Sequence, residues 1–248
     1  MKSVILTSYF SKKIHPNFPD DDAVIGRCSD GRVLQNDFLY IEKWYNSILK
    51  LDLEARIFCD NLVDDFINKY TTDKIKFIKV NTSEYSNNDW RFFCYKNYLE
   101  NNKFDCAFLT DCSDVIVVKT PSDILKEYPD KDYFICRDSI FLNQFGYMEL
   151  HKKAGWDNYM WFLLSQSRLE LINMGVIGAN YENILLFLNK FCETRVNLGN
   201  PDFNSDMWTG QYVFRHLLSE KSLLIGDPFT SNFKKYEDDR KDVFFIHK

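Results

Sequence analysis

"FDCAFLTDCSDVIVVKT", Phe104 to Thr120, sets two aspartates, Asp111 and Asp114, between two apolar runs. Runs of this length bounded by turn residues read as buried strands, with Asp111-Cys112-Ser113-Asp114 as the break between them. Two readings of the carboxylates follow. A pair of acids just beyond a buried strand suits Mg2+ or Mn2+, which take oxygen ligands and leave open positions for a phosphorylated substrate. Aspartate is equally a turn former, because its side chain accepts from nearby backbone N–H groups.

Upstream, strand-length runs alternate with segments of helical period. "SVILTSYF" from Ser3 is a first strand. In "NDFLYIEKWYNSILKLD", Phe38, Ile41, Tyr45, Ile48 and Leu49 fall on one helical face. "ARIFCD" (strand), "LVDDFINKY" (short helix), "KIKFIKV" (strand) and "NDWRFFCYKNYLENN" (helix, capped by Asn88 or Asp89) lead into "DCAFLT" as a fourth strand. This β-α-β-α-β-α-β order implies parallel strands with right-handed crossovers, a Rossmann-like half ending near Asp111. Ligands of such sheets sit beyond the carboxyl ends of the strands. The stretches "TSYF", Asp60 and "TDCSD" should therefore line one crevice.

The second half is less regular. A helix is expected from about Ser122, a strand in "DYFICRD", helices from about Glu182 to Thr194 and Ser205 to Leu218, and short strands in "SLLIG" and "VFFIHK". Its mixed character points to a smaller antiparallel region folded onto the same sheet. No repeat or Pro/Gly-rich linker divides the chain, so residues 1–248 read as one domain, with a nucleotide-binding half over 1–110 and a metal and acceptor half over 111–248.

Composition narrows the function classes. With 248 residues, 45% hydrophobic and 17% aromatic, the chain can bury a large core. A net charge of -5 argues against a nucleic-acid partner, which needs clustered positive charge. Seven cysteines without a CxxC pair suggest neither a zinc cage nor a disulfide framework, and point to a reducing, cytoplasmic setting. No stretch approaches the roughly 18 apolar residues of a membrane span, so membrane contact would be peripheral.

The helix opening "NDWRFF" before a strand ending in "FLTDCSDVIV" resembles the GT-A glycosyltransferases, in which an arginine-bearing helix leads to a strand ending in a DxD-type acidic motif. Asp111 and Asp114 form a spaced, D-x-x-D variant of it. "LINMGVIGA", Leu171 to Ala179, is similar to the N-x-G strand of those enzymes. "SDMWTGQYVFRHLL" looks like their following acidic helix start, and the terminal "FFIHK" like the histidine segment of metal-dependent members. The four motifs occur in family order between Trp90 and Lys248.

The resemblance implies a GT-A fold, a mainly parallel α/β sheet flanked by helices, and transfer of a sugar from a UDP- or GDP-sugar to a glycan or glycoprotein acceptor. It implies Mn2+ or Mg2+ held by Asp111, Asp114 and His247, with Asp114 the favoured direct ligand and Asp111 at a second metal site, a water ligand or the nucleotide ribose. His247 has the plainer reading of an exposed chain end. Thr7, Ser8, Tyr9 and Asp60 would meet base and ribose, or be ordinary strand-end residues. Arg91 would neutralise a phosphate or orient Asp111, or be a solvated helix arginine; Lys12 and Lys13 would flank the diphosphate. Asn173 and Gly175 would lie beneath the donor sugar. Asp206 is the candidate catalytic base of an inverting enzyme, or simply a helix cap. Trp156, Asp157 and Tyr159 in "AGWDNYMWF" would grip the acceptor, or be core. Two other classes fit the same residues: a metal-dependent phosphatase or nucleotidyltransferase, and a sugar-nucleotide or glycan binding module without turnover.

Overall fold

A computed structural model describes residues 1–11, 32–141, 165, 168–201 and 203–248. Four parallel strands, β1 (Ser3–Tyr9), β2 (Ala55–Cys59), β3 (Ile75–Lys79) and β4 (Cys106–Thr110), alternate with helices α1 (Glu42–Lys50), α2 (Asp64–Tyr70) and α3 (Asn87–Asn101). This is the alternation expected from the sequence. After the short strand β5 (Val115–Val117) and a brief helix α4 (Ile124–Glu127) come β6 (Tyr133–Phe141), β7 (Glu170–Asn180), α5 (Tyr181–Asn197), α6 (Asp206–Tyr212), β8 (Leu223–Ile225) and β9 (Phe245–His247). One seven-stranded sheet in the order β3-β2-β1-β4-β7-β6-β8 carries both halves of the chain. The strands β5 and β9 form a separate antiparallel pair.

Period-two alternation in β1 splits the core. Ile5 and Tyr9 face one side with Trp44, Ile48 and Phe108. Val4, Leu6 and Phe10 face the other, with Phe92, Tyr95, Phe187 and Phe191 from α3 and α5. A strand covered on both faces must be apolar at nearly every position, which explains the continuous run from Val4 to Leu6.

Three local expectations are corrected. Leu49 is exposed, and the buried stripe of α1 is Ile41, Trp44, Tyr45 and Ile48, the i, i+3, i+4, i+7 pattern of a single helical face. The cap of α3 is Ser86, whose hydroxyl accepts from the Asp89 N–H; this frees the Asp89 carboxylate for a buried ion pair. The helix expected from Ser205 to Leu218 divides into α6 and a π-turn over Val213–Leu217.

The antiparallel strands position the chemistry. β7 runs against β4 with Thr110 opposite Val176, and the Asp111 N–H donates to the Gly175 carbonyl at 2.7 Å. On its other edge β7 bulges: Ile135 pairs with Ile177 but the next residue, Cys136, pairs with Asn173. Met174, Gly175 and Val176 thus arch out of the β6 register, as bulges beside functional sites often do.

Candidate active site

A cavity of 330 Å3 opens at the carboxyl ends of β1 and β4, where the strand-end rule predicts it. Its floor is the turn after β4. Asp111 and Asp114 both line it, about 30% exposed. Pairing of β5 with β9 sets Val115 opposite His247, and the Lys248 N–H donates to the Asp114 carbonyl at 3.0 Å, so a two-strand ladder delivers the histidine to the acids. His247 Nε2 lies 3.7 Å from Asp111 Oδ2 and 3.6 Å from Asp114 Oδ2.

Those separations exceed hydrogen-bond length and match ligands arranged about one small divalent cation, whose cis ligands at bonds of about 2.1 Å stand about 3 Å apart. The Nε2 atom is buried and has no hydrogen-bond partner, a costly state unless something else occupies its lone pair. A Cβ built on Gly175 would lie 2.6 Å from Asp111 Oδ2, 2.7 Å from His247 Nε2 and within 3 Å of Cε1. The glycine is what lets ring and carboxylate approach. These residues fit a metal ion on geometry and on donor chemistry. The extra residue in D-x-x-D does not separate the acids, because Cys112 turns inward and its Sγ donates to the Ser8 carbonyl at 3.1 Å.

Electrostatics agree. Asp111, Asp114, Asp138 and Asp206 line the cavity against Arg91 and Lys234. Burial drives the His247 ring towards neutrality, but the Cys136 sulfur and the Asp114 carboxylate outweigh it and push its pKa up to about 10. The acidic surroundings that raise the ring's proton affinity favour positive charge at Nε2, where a divalent cation competes with the proton for the same lone pair.

Arg91 ties the floor to the far wall. One guanidinium nitrogen is paired with Asp111; the other donates to Asp206 Oδ2 at 3.1 Å and to the Met174 carbonyl at 3.3 Å. Only 7% of its side chain is exposed, so it is a buried bridge and not a solvated helix arginine. Asp206 stands at the first turn of α6; burial raises its pKa and Arg91 opposes the rise. Asn173 and Gly175 line the cavity, with Asn173 Oδ1 accepting from the Gly175 N–H at 2.7 Å.

The β1 end is divided. Ser8 lines the cavity. Thr7 is buried and donates to the Thr110 carbonyl at 2.9 Å. Tyr9 is also buried; its hydroxyl donates to the Leu34 and Asp37 carbonyls and its ring lies against Tyr40. Tyr40 itself reaches the cavity wall, as do Phe10 and Phe233. Asp60 Oδ1 accepts from Ser11 and Asn61 N–H groups, which fastens the chain leaving β1 to the end of β2. Lys12, Lys13, Trp156, Asp157 and Tyr159 lie outside the described residues.

Two solved structures of LgtC are similar to the chain. One is galactosyltransferase LgtC in complex with donor and acceptor sugar analogues, the other an active-site variant. They align at a TM-score of 0.55 with 12% and 13% identity, over 98% of this chain and 86% of theirs. The chain has the GT-A glycosyltransferase fold. A glycosyltransferase involved in glycosylating the major capsid of PBCV-1 aligns over the whole chain and 92% of its own, at 16% identity and a TM-score of 0.47. No protein-family model matches the sequence, and no curated protein is significantly similar to it.

Within this GT-A fold, sequence reasoning missed Asp138, Asp89 and Arg195. Asp138, 7% exposed, lines the cavity from β6. Asp89 and Arg195 form a fully buried pair at 2.9 Å. Arg195 also donates to the carbonyls of Gly199, Asn200, Pro201 and Phe203, while Asp89 accepts from the Ser205 N–H and hydroxyl. The pair thereby fixes the loop that delivers Asp206. Burial and the nearby Asp206 push the Asp89 carboxyl up to about 6, against Arg195 and the Ser205 N–H. The one sequence signal was a Gly/Asn/Pro-rich loop whose carbonyls need donors.

Proposed function

We propose that the chain is a glycosyltransferase that moves a sugar from a UDP- or GDP-sugar to a glycan or glycoprotein acceptor, with Mn2+ or Mg2+ held by Asp111, Asp114 and His247. The observation that carries this reading is the buried, unpartnered Nε2 of His247 facing two carboxylates on the cavity floor. When bound there, a divalent cation supplies Lewis-acid stabilisation to a diphosphate leaving group. Four lining carboxylates against two cationic side chains would otherwise repel a diphosphate.

In this reading the first 110 residues hold the nucleotide. Ser8, Phe10 and Tyr40 give the wall beside which base and ribose lie, and Thr7, Tyr9 and Asp60 set that wall's shape from behind. Arg91 orients Asp111 through its ion pair and opposes the rise that burial gives the Asp206 pKa. Asn173, Gly175 and Asp138 face the donor sugar. Asp206 is the carboxylate at the reaction centre: burial raises its proton affinity, which suits a base that takes the proton of an acceptor hydroxyl during inversion. Trp156, Asp157 and Tyr159 are assigned to the acceptor on their sequence chemistry. The same proposal sets the reaction in the cytoplasm, with any membrane contact peripheral. Six described cysteines are free and buried, and among the described residues no helix is long and apolar enough to cross a membrane.

The test is a panel of nucleotide sugars incubated with the protein and Mn2+ or EDTA, with nucleotide release measured. Release from at least one UDP- or GDP-sugar, abolished by EDTA, is expected. No release from every donor leaves the binding-module reading. Release of inorganic phosphate instead of nucleoside diphosphate indicates the phosphatase class.

A further inference from the structure

The geometry points to Cys136 as a positioning residue that fixes the tautomer and ring orientation of His247, so that its Nε2 lone pair faces the acidic pair. This inference rests on the metal-site reading above. Its own ground is a short chain of contacts on the opposite side of the ring.

Cys136 is fully buried, and its Sγ lies 3.2 Å from His247 Nδ1. The same sulfur lies 3.6 Å from the Arg137 carbonyl oxygen, which can only accept. With the S–H proton turned to that carbonyl, as we infer, the sulfur lone pairs remain for the ring. The hydrogen between Sγ and Nδ1 then belongs to the imidazole, and Nδ1–H donates to Sγ. The form of the imidazole that binds a cation is neutral and carries one N–H, so Nε2 is left with its lone pair, aimed at the gap between Asp111 Oδ2 and Asp114 Oδ2. The opposite tautomer would place a lone pair at Nδ1 against the sulfur lone pairs and a proton at the site where a cation is to bind.

Metal-bound histidines commonly donate their second N–H to a carboxylate, a carbonyl or water. Here a thiol takes that place. The β6–β7 bulge sits at this point: Cys136 is the residue at which the register jumps past Met174, Gly175 and Val176, and its Sγ meets the Nδ1 edge of the ring. Phe233, with its ring centroid 4.4 Å from that of His247, packs on the imidazole and holds its plane. Sulfur, the tilted Phe233 ring and the missing Cβ at Gly175 together restrict the orientation of the imidazole.

The experiment compares Cys136→Val, Cys136→Ser and His247→Ala with the unaltered protein by Mn2+ titration (calorimetry and electron spin resonance) and by 15N NMR of labelled histidines. Valine keeps the volume but cannot accept a hydrogen bond, while serine can accept and donate. The unaltered protein binds Mn2+ and His247→Ala does not; failure of this pair overturns the metal-site reading itself. Given that pair, Cys136→Val weakens Mn2+ binding about 10- to 100-fold, the usual size of such second-sphere losses. Cys136→Ser recovers most of the affinity. In the metal-free spectrum above about pH 10, where the ring has lost its second proton, His247 carries its remaining proton on Nδ1 in the unaltered and Ser variants and becomes a mixture in the Val variant. Mn2+ affinity and tautomer both unchanged in Cys136→Val, with thermal stability confirming a folded protein, would overturn the inference. Equal weakening by Ser and Val would also overturn it, since that is loss of packing and not of the hydrogen bond.

Discussion

Replacing Gly175 with alanine adds one methyl group at the point where β7, the acidic turn and the C-terminal histidine converge. Its Cβ would stand 2.7 Å from His247 Nε2 and 2.6 Å from Asp111 Oδ2, against the 3.4 Å at which ordinary contact begins. The ring must therefore retreat by at least roughly 0.7 Å, since Cε1 stands closer still, while ligand distances in a metal site tolerate only about 0.2 Å. His247 is fully buried between Phe233 and Cys136, and Asp111 is tied to Arg91, so neither can swing aside freely. Overpacking of this kind costs about 1–3 kcal/mol, which for a chain of this size lowers Tm by about 2–10 °C. Mn2+ affinity should fall by about 100-fold or more, because one displaced ligand loses its bond. Gly178→Ala is the matched control: its Cβ would lie 2.5 Å from Phe108 ring atoms, away from the acids. It should lose stability to a similar extent and keep Mn2+ binding. Calorimetric unfolding and Mn2+ titration of both variants decide the matter. A Gly175→Ala protein that binds Mn2+ as tightly as the unaltered one would refute the convergence of Asp111 and His247 on a shared ion.

Asp111→Asn and Asp114→Asn should each raise the Kd for Mn2+ by about 10-fold or more, and Asp111→Asn should also lower Tm, because its carboxylate is the partner of the buried Arg91. Arg91→Met should cost about 3–5 kcal/mol in urea unfolding by leaving Asp206 buried and unpaired, and adding Asp206→Asn should recover part of that loss; strictly additive costs would contradict the bridge. Asp89 has its carboxyl raised from 3.8 to about 6, so its contribution to stability is fully present below the unfolded pKa and lost as pH rises through about 6. Asp89→Asn should remove that slope: the stability of the unaltered protein relative to the variant should fall by about 3 kcal/mol between pH 3.5 and 6.5, read by chemical denaturation at fixed pH, and parallel profiles would exclude it.

The order β1-α1-β2-α2-β3-α3-β4 was legible in the sequence because buried parallel strands and amphipathic helices carry different periods. The acidic turn after β4 and the polar end of β1 were legible because ligands of such sheets gather at the strands' carboxyl ends. Misplaced details such as Leu49 and the α3 cap lay within one turn of a helix end, where several residue types satisfy the same backbone groups. At the end of β1 the sequence could nominate residues but not aim them: Thr7 and Tyr9 face the core side of the sheet, and Ser8 between them faces the cavity.

By itself the sequence determined the strand and helix order, the acidic break at Asp111 and Asp114, and the chemistry available at Arg91, Asn173, Asp206 and His247. Local periodicity and residue chemistry suffice for that, since each is written within a few residues. Only the tertiary structure decided that Val115 pairs with His247, that β7 bulges at Gly175 towards Asp111, that Arg91 bridges Asp111 to Asp206, and that Asp89 and Arg195 brace the loop between α5 and α6. Each of these contacts joins residues far apart in the chain. Register, bulge position and buried charge pairing are set by how the two sheet faces and the C-terminal ladder pack together, and no short window of sequence contains that information.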